Sequence, residues 1–300
     1  MAISSVRAQV NGTWHTLTYD SSSGAYKATI TAPGATSYNQ SGGYYNVTVQ
    51  ATNTAGTTAT ATGANLSGLR LTVKETVKPV ITILSPTSGA FVSNNKQPVI
   101  FTITDESGGS GIKLSSLVVK QDGTAVASST IVTTAVTNGY SVTYTPASAL
   151  SDGSHTVTIN VSDNDGNAAA EKSTAYKVDT VPPTLNVSAP TAGLITNTAS
   201  LTVRGTTNDS TSSPVTVKIS LNSVDQGSVT VDSTGAFSKA ITLTEGANTI
   251  AITATDSAGK TSTVTRNVTL DTSVPVIQSA TITPNPANTG ATVVISVVVK

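Results

Sequence analysis

The chain has 300 residues, a formal net charge of zero, no cysteine and only 11% charged residues. The lack of a basic cluster argues against a nucleic-acid-binding surface, and the lack of cysteine excludes a disulfide scaffold. No apolar run approaches the roughly 18 residues that a membrane helix needs, and the first residues do not resemble a signal peptide. We therefore expect no nucleic-acid partner and no insertion into a membrane. The abundance of Thr, Ser, Val, Ala and Gly favours an all-β protein.

Three segments of the chain repeat one pattern: a turn glycine, a strand of strict period two, and an Asx–Gly turn. They are Gly43–Gly56, Gly153–Gly166 and Gly246–Gly259. Apolar residues on alternate positions predict one core-facing and one solvent-facing side for each strand. Another strand is predicted after each segment, at Leu69–Val73, Thr174–Val178 and Val264–Leu270.

Other repeats supply the remaining strands. Val6–Asn11 matches Val217–Asn222, and Asp20–Tyr26 matches Asp232–Phe237, where a polar turn leads into an aromatic residue. Proline-led strands begin new domains at Pro79–Ile83, Pro183–Val187 and Pro275–Ser279. A second apolar strand follows each of them, at Val99–Ile103, Leu201–Val203 and Val293–Val297.

These repeats predict tandem immunoglobulin-like β-sandwiches arranged in a rod, with one sandwich split between the two chain ends. The predicted domains are residues 1–76, which lack their first two strands, the complete sandwiches 77–180 and 181–272, and residues 273–300, which hold only the first two strands.

Three stretches carry a family resemblance: the junction Asp179–Pro183, the strand opening Asp152–Val157 and the turn Thr283–Gly290. They resemble the tandem bacterial Ig-like, or Big-type, repeats of bacterial surface proteins and of virion proteins of tailed phages. The resemblance covers nearly the whole chain. It implies modules that act as spacers, stalks or binding platforms, located outside the cell, on its surface or in a virion.

Each chain end contains the strands that the other end lacks. Left uncovered, Ala291–Val299 would be a long β-branched strand prone to aggregation. Three geometries would cover it: closure within one chain, donation to the next copy, or a longer array of which these residues are one period. Donation gives a head-to-tail homopolymer, that is, a fibre or a ring. The expected donor residues are Ile277, Ile282, Val293, Ile295, Val297 and Val299, and the expected acceptors are Val6, Ala8, Val10 and Tyr26.

The alternative function is that of a cell-surface or phage-tail adhesin. Aromatic residues are concentrated in the first unit, and Tyr38, Tyr44 and Tyr45 are the candidate contacts for a glycan or a protein. We expect Trp14 and Tyr26 in the core.

No arrangement of residues suggests catalysis, so we expect a protein that is not an enzyme and has no cofactor. The two histidines, His15 and His155, have no matched partners in a catalytic pattern. Asp163 and Asp165 resemble part of a calcium loop, although a hairpin turn explains them as well. Calcium between domains is the other candidate, at acidic residues near predicted domain ends: Asp105, Glu106, Asp179 and Asp271.

Overall fold

A computed structural model describes residues 2–300 and confirms the all-β prediction. The chain divides into two compact units, Met1–Val178 and Asp179–Lys300. Outside the strands, the described residues contain three 3-10 turns, at Ser41–Gly43, Ser67–Leu69 and Ser128–Thr130. They include no helix with the length and apolar character of a membrane span.

The first unit begins with a five-stranded sheet and a separate pair of short strands. Its strands are β1 (Ile3–Val10), β2 (Thr13–Asp20), β3 (Ala25–Lys27), β4 (Tyr45–Asn46), β5 (Thr48–Asn53), β6 (Thr58–Thr62) and β7 (Arg70–Leu71). The order β3-β2-β1-β5-β6 forms the N-terminal sheet, and β4 pairs only with β7. The strand predicted at Leu69–Val73 is therefore reduced to two residues. The turn at Gly56 leads the chain back at once into β6, which occupies the edge of β5 that the later strand was expected to take.

The first unit continues with a complete sandwich. Its strands are β8 (Val80–Ser85), β9 (Phe91–Val92), β10 (Val99–Thr104), β11 (Ile112–Gln121), β12 (Thr124–Ala125), β13 (Ile131–Val136), β14 (Gly139–Tyr144), β15 (Gly153–Asp163) and β16 (Lys172–Val178). They form two sheets, β13-β14-β10-β8 and β12-β11-β15-β16-β9. This layered, mostly antiparallel order is typical of an immunoglobulin-like sandwich.

The second unit contains another complete sandwich and a hairpin. The strands are β17 (Thr184–Ala189), β18 (Leu194–Thr196), β19 (Ser200–Asn208), β20 (Thr216–Leu221), β21 (Val224–Asp225), β22 (Ala236–Thr242), β23 (Gly246–Thr255), β24 (Thr261–Leu270), β25 (Ile277–Thr283) and β26 (Val294–Val299). The sandwich sheets are β17-β19-β22 and β18-β24-β23-β20-β21, and β25 pairs only with β26. We call β25 and β26 the C-terminal hairpin.

Three tight hairpins show that β1, β11 and β20 are equivalent strands. Two-residue loops follow them, at Asn11-Gly12, Asp122-Gly123 and Asn222-Ser223, and all six residues have positive φ. That conformation is the one a type I′ turn requires, and Asn, Asp and Gly adopt it most easily. Each equivalent strand also pairs with the strand predicted from the Gly-led repeats, β5, β15 or β23.

Burial distinguishes the complete sandwiches from the N-terminal sheet. Each sandwich has one hydrophobic core, containing Phe101, Ile103 and Ile159 in the first unit and Ile219 and Ile252 in the second. In residues 2–74, by contrast, only three hydrophobic side chains are buried: Val6, Val10 and Tyr45. Trp14, predicted to be core, is 37% exposed. The Arg7 guanidinium lies 4.3 Å from its ring centroid.

Candidate functional site

The C-terminal hairpin has one apolar face and one hydroxyl-rich face. Its register places Ile277, Ala280 and Ile282 opposite Val299, Val297 and Ile295. On the other face, Ser279, Thr281 and Thr283 lie opposite Val298, Ser296 and Val294. Every residue of the hairpin is exposed. The predicted donor side chains are 41% (Val293), 49% (Ile282 and Val297), 53% (Val299) and 66% (Ile277 and Ile295) exposed. An apolar face that is uncovered over two strands is a surface that needs a partner.

An open cleft of about 610 Å³ lies on the N-terminal sheet. It is lined by Ala8, His15, Leu17, Thr18 and the segment from Tyr26 to Ile30. The predicted acceptor residues thus fall into two groups. Ala8 and Tyr26 are half-buried and line the cleft, whereas Val6 and Val10 are already 93–94% buried, with exposed fractions of 7% and 6%.

The three tyrosines proposed for ligand contact do not share one exposed surface. Tyr38 is 50% exposed, and Tyr44 is half-buried with the Arg70 guanidinium 4.8 Å from its ring centroid. Tyr45 is buried, and its hydroxyl donates a hydrogen bond to the carbonyl of Ala35. Tyr45 therefore belongs to the interior of the first unit. The prediction that all three tyrosines contact a ligand is wrong for this residue.

A cluster of three carboxylates lies in the first unit. We call Glu75, Asp105 and Glu106 the Glu75 cluster, since one oxygen from each lies within 4.8 Å of the others. Asp105 Oδ2 accepts the amide of Gly111 at 2.7 Å, and Glu75 Oε1 accepts the amide of Ser110. Three further oxygens, Asp105 Oδ1, Glu75 Oε2 and Glu106 Oε2, are buried without a hydrogen-bond partner in the described part of the chain.

The crowding of these acids shifts their proton affinities. The neighbouring carboxylate of Glu75, together with burial and Asp105, raises the pKa of Glu106 to about 7. Burial favours a higher pKa for Glu75, but the Glu106 carboxyl and the Ser110 amide outweigh it and hold the Glu75 pKa below its ordinary value. The opposite shifts of the two pKa values mean that Glu106 keeps a proton more readily than Glu75, as expected for two carboxyl groups that share one proton.

A second cluster lies in the second unit. We call Asp179, Asp209 and Asp256 the Asp179 cluster; one oxygen from each again lies within 4.8 Å of the others. All three residues are buried, with exposed fractions of 0%, 8% and 6%. Asp256 Oδ1 accepts two backbone amides of its own turn, whereas its Oδ2 is buried and has no partner among residues 2–300.

The structure therefore separates the acidic residues proposed from the sequence. Asp105, Glu106 and Asp179 enter clusters, but Asp271 is exposed and accepts hydrogen bonds from Ser273. Asp163 caps its own turn, because Oδ1 accepts the amides of Gly166 and Asn167. In a separate contact, Asp165 Oδ2 accepts the Thr36 hydroxyl at 2.5 Å and the Glu75 amide at 3.1 Å.

Sequence reasoning missed three cluster members, Glu75, Asp209 and Asp256. A signal for them exists in the repeats. Glu75 and Asp179 each stand four residues before a domain-opening proline and are followed by Thr-Val. Asp209 comes directly after β19, as Asp105 comes directly after β10. Extending the alignments of the first two strands by a few residues would have found Glu75 and Asp209, whereas Asp256 lies near the end of the third Gly-led segment, in the repeat position of Asp163.

Two family models match the two complete sandwiches. Residues 87–180 match the model described as a bacterial Ig-like domain, and residues 183–272 match that of glucodextranase, domain B. No match is found among curated proteins.

Several solved structures are similar at low identity. The fibronectin(III)-like modules of CbhA from Clostridium thermocellum are 18% identical, with 64% of this chain and 94% of that chain covered and a TM-score of 0.42. Immunoglobulin domains 1-5 of Sidekick-1 are 13% identical, with 92% and 55% covered and a TM-score of 0.37. A three-domain titin structure is 14% identical, with 88% and 86% covered and a TM-score of 0.42. The strand order and the family matches together show tandem immunoglobulin-like repeats, of which residues 87–180 match the bacterial Ig-like family.

Proposed function

We propose that the chain is a non-catalytic structural protein of the cell surface or of a virion, and that the C-terminal hairpin of one copy completes the N-terminal sheet of the next. Bacterial Ig-like domains are usually extracellular or surface modules without catalytic activity. One observation carries the proposal. The apolar face that both complete sandwiches bury is exposed in the hairpin.

Equivalent prolines support a correspondence between the hairpin and the first two strands of a sandwich. Pro86, Pro190 and Pro284 directly follow β8, β17 and β25. The last residue before each proline pairs with Ile100, Arg204 and Val294, respectively. Ile295 therefore occupies the place of Phe101 in the first complete sandwich, where the side chain is fully buried. The hairpin reproduces the first two strands of a sandwich, and those strands normally lie against an opposing sheet.

The N-terminal sheet has a free edge at the position where such strands pair. In the third sequence repeat, Phe237 bridges back to Val231 and also pairs with Gly205 of β19. Tyr26 matches Phe237 and pairs back to Tyr19, but no strand of residues 2–300 lies on the other side of β3. Transferring the register of the second unit places Ile295 opposite Tyr26 and Val294 opposite Lys27. The cleft lined by Tyr26–Ile30 is where the donated strand would lie.

The hydrophobic effect favours this completion. Burying the four side chains Val293, Ile295, Val297 and Val299 contributes on the order of 6–12 kcal/mol before entropic costs. Association costs about 4–15 kcal/mol, so the backbone hydrogen bonds of the added strand decide the net stability. Donation is heterologous, and its repetition gives a fibre, or a ring if the rotation closes.

The two faces of β26 provide a matched test. We expect Val297→Asp to abolish polymers, because it introduces a charge into the apolar face. Val298 lies on the opposite face, so we expect Val298→Asp to leave the polymers intact. Light scattering and negative-stain microscopy measure both, with a chain ending at Thr272 as the form without donor strands. Monodisperse monomers from the unchanged chain, or equal polymerisation of both variants, would contradict the proposal.

A disulfide test distinguishes strand donation from non-specific aggregation and from closure within one chain. The chain has no cysteine, so Lys27→Cys with Val294→Cys introduces the only thiols. Under oxidation we expect a covalent ladder on denaturing gels. Lys27→Cys with Val298→Cys is the control, since Val298 lies on the same face but about 13 Å farther along the strand. A ladder from both cysteine pairs would indicate non-specific aggregation, and a cross-linked monomer would indicate closure within one chain. Either result would contradict the head-to-tail homopolymer.

The alternative is an adhesin that binds a glycan or a protein through the tyrosines of the first unit. Only Tyr38 offers a substantially exposed ring among the three candidates, since Tyr44 is half-buried and Tyr45 is buried. Tyr38→Ala would lower binding to a glycan or protein array and leave the oligomeric state unchanged. Unchanged binding in this variant removes the adhesin from consideration.

A further inference from the structure

The outer edge of β13 is an unprotected edge strand. β13 ends the sheet β13-β14-β10-β8, and no strand of residues 2–300 pairs with its other side. Its sequence, Ile131–Val136, has no charged residue, no proline and no register shift against β14. Five of its six residues are exposed, including Val132 at 65% and Val136 at 42%. A regular, uncharged edge of this length is a template on which another strand can pair.

The other edge strands of the two sandwiches that exceed three residues carry features that oppose strand addition. β8 and β17 each have a register shift in their pairing and are followed directly by a proline. β22 contains Lys239, which lies opposite the fully buried Val203 on the core-facing side of its sheet. Bulges, prolines and inward-pointing charges all hinder pairing at an edge. β13 has none of them, so its open edge distinguishes the first sandwich from the second.

The free side of β13 presents the backbone groups of alternate residues. The Thr145 amide donates to the Thr130 carbonyl at 3.0 Å, which continues the register of β13 and β14 by one step. Hydrogen-bonded and non-hydrogen-bonded pairs alternate along an antiparallel ladder. The amides and carbonyls of Ile131, Thr133 and Ala135 therefore point away from β14, toward the open edge, where a further strand could accept and donate hydrogen bonds.

We propose that β13 pairs with β13 of a second copy of this chain, antiparallel and around a two-fold axis. Residues directly opposite in such a pair share one face of the sheet, so the axis must pass through a single residue. Centring on Thr134 places Val132 opposite Val136 of the second copy, on both sides of the axis. Thr133 and Ala135 of the two copies then exchange their free backbone hydrogen bonds. Centring on Thr133 instead would place Val132 opposite Thr134, a poorer match of apolar side chains.

Charge and side-chain size favour a second copy at this edge. The four strands β8, β10, β13 and β14 contain no charged residue, so two such sheets meet edge to edge without electrostatic repulsion. The edge strand Thr58–Thr62 is also uncharged, but it has only Ala and Thr side chains and offers little apolar surface to β13. One pair of short strands buries less than the roughly 1,000 Å² of a stable interface, so a single contact is weak and repeated contacts between aligned copies strengthen it.

A single cysteine on the two-fold axis tests the pairing in the full chain. The chain has no cysteine, and opposed residues of a non-hydrogen-bonded pair have Cα atoms about 4.5 Å apart, within disulfide range. Under oxidation we expect Thr134→Cys to give a covalent dimer on non-reducing denaturing gels. Thr82→Cys is the control, since Thr82 is exposed on the same face but lies in β8 at the far edge, and it should cross-link about 10-fold more slowly, by random collision. Denaturation dissolves any strand-donated fibre, so the result does not depend on fibre formation.

A charge at the edge tests the register. Val132→Lys, added to Thr134→Cys, replaces an apolar pair across the axis and should slow dimer formation about 10-fold. Val80→Lys is the control, because Val80 is 57% exposed on the same face but lies in β8, and it should leave the rate unchanged. Both positions are exposed, so neither lysine should unfold the sandwich. Equal cross-linking of Thr134→Cys and Thr82→Cys, as expected if β13 pairs with β6 or with another protein, would overturn the proposal, and so would an equal effect of the two lysines.

Discussion

Strands β10 and β26 have similar alternation but opposite environments. Val99, Phe101 and Ile103 of β10 are 0% exposed, whereas Val293, Ile295 and Val297 in the corresponding positions are 41%, 66% and 49% exposed. Each strand pairs with a proline-terminated neighbour through a similar register. The difference is that β10 also pairs with β14 and faces a second sheet, while β26 has neither neighbour. Local pattern forms the strand, but burial depends on the opposing layer.

The same comparison explains the sparse interior of the N-terminal sheet. Residues 2–74 provide the counterparts of β11 and β15 but not of β10. Without the covering layer, Ala8 and Tyr26 line a cleft instead of a core. A sheet with one open face exposes apolar surface, which is costly to hydrate. The proposed strand donation would bring the exposed apolar face of the C-terminal hairpin to this cleft.

Truncating equivalent side chains gives the largest expected contrast. Phe101→Ala should destabilise the sandwich of the first unit by about 3–5 kcal/mol, because it leaves a cavity in a closed core. Ile295→Ala should cost under about 0.5 kcal/mol in dilute monomers, since the side chain is exposed. Hydrogen exchange with mass spectrometry measures the stability of each region separately. A similar loss in both variants would show that the hairpin is already packed within the monomer.

In the second unit, a glycine occupies the strand position that Phe101 has in the first. Gly205 corresponds to Phe101, and an added Cβ would lie 2.3 Å from the backbone oxygen of Asn186 and 2.5 Å from the Phe237 ring. Gly205→Ala should therefore destabilise the second unit by about 1–3 kcal/mol, through overpacking. Adding Phe237→Leu should recover only part of the loss, because the contact with the backbone oxygen remains. Chemical denaturation measures both, and a neutral Gly205→Ala would disprove the close packing.

Much of this fold follows from period-two alternation and turn chemistry. The alternating repeats predict β15 and β23, and the prolines predict the starts of β8, β17 and β25 to within a few residues. The edge strands were harder to predict. Thr58–Thr62 has no apolar residue larger than alanine, yet it pairs along the whole of β5, because backbone hydrogen bonds do not depend on side-chain pattern.

The acidic clusters were only half visible in the sequence for a similar reason. Asp256 comes from a loop far along the chain from Asp179, and only the folded sandwich brings the two together. In contrast, Asp163 and Asp165 are adjacent in a calcium-like string, but their oxygens are taken up by amides and hydroxyls nearby. Spacing along the chain predicted turns better than it predicted clusters.

The smallest expected effect comes from a pair of side chains that is charged in one sandwich and neutral in the other. His155 occupies the repeat position of Asn248, and Asp122 that of Asn222. His155 Nδ1 lies 2.7 Å from Asp122 Oδ2 and Nε2 lies 2.8 Å from the Ser151 carbonyl oxygen, so the protonated ring donates at both nitrogens. In the other sandwich, Asn222 Nδ2 donates to Asn248 Oδ1 at 3.3 Å. Only the first pair titrates.

The pH dependence follows from the two pKa shifts. Burial favours a lower pKa for His155, but the hydrogen bonds to Asp122 and to Ser151 outweigh it and raise the pKa. Burial favours a higher pKa for Asp122, yet His155 and the Thr156 amide lower it. The stability from His155 is fully present below its unfolded pKa of about 6.5 and is lost as pH rises through the raised value. The stability from Asp122 is present above its unfolded pKa of about 3.9 and is lost as the pH falls through the lowered folded value.

Hydrogen exchange at several pH values tests this difference within one molecule. After correction for the intrinsic exchange rate, protection of β15 should decrease as the pH rises above about 6.5, while protection of β23 should not change. The double variant Asp122→Asn with His155→Asn imitates the neutral pair and should remove the dependence from β15. If protection of β15 still decreases in this variant, the pH response belongs to other groups. If protection decreases in parallel in β15 and β23, the charged pair does not distinguish the two sandwiches.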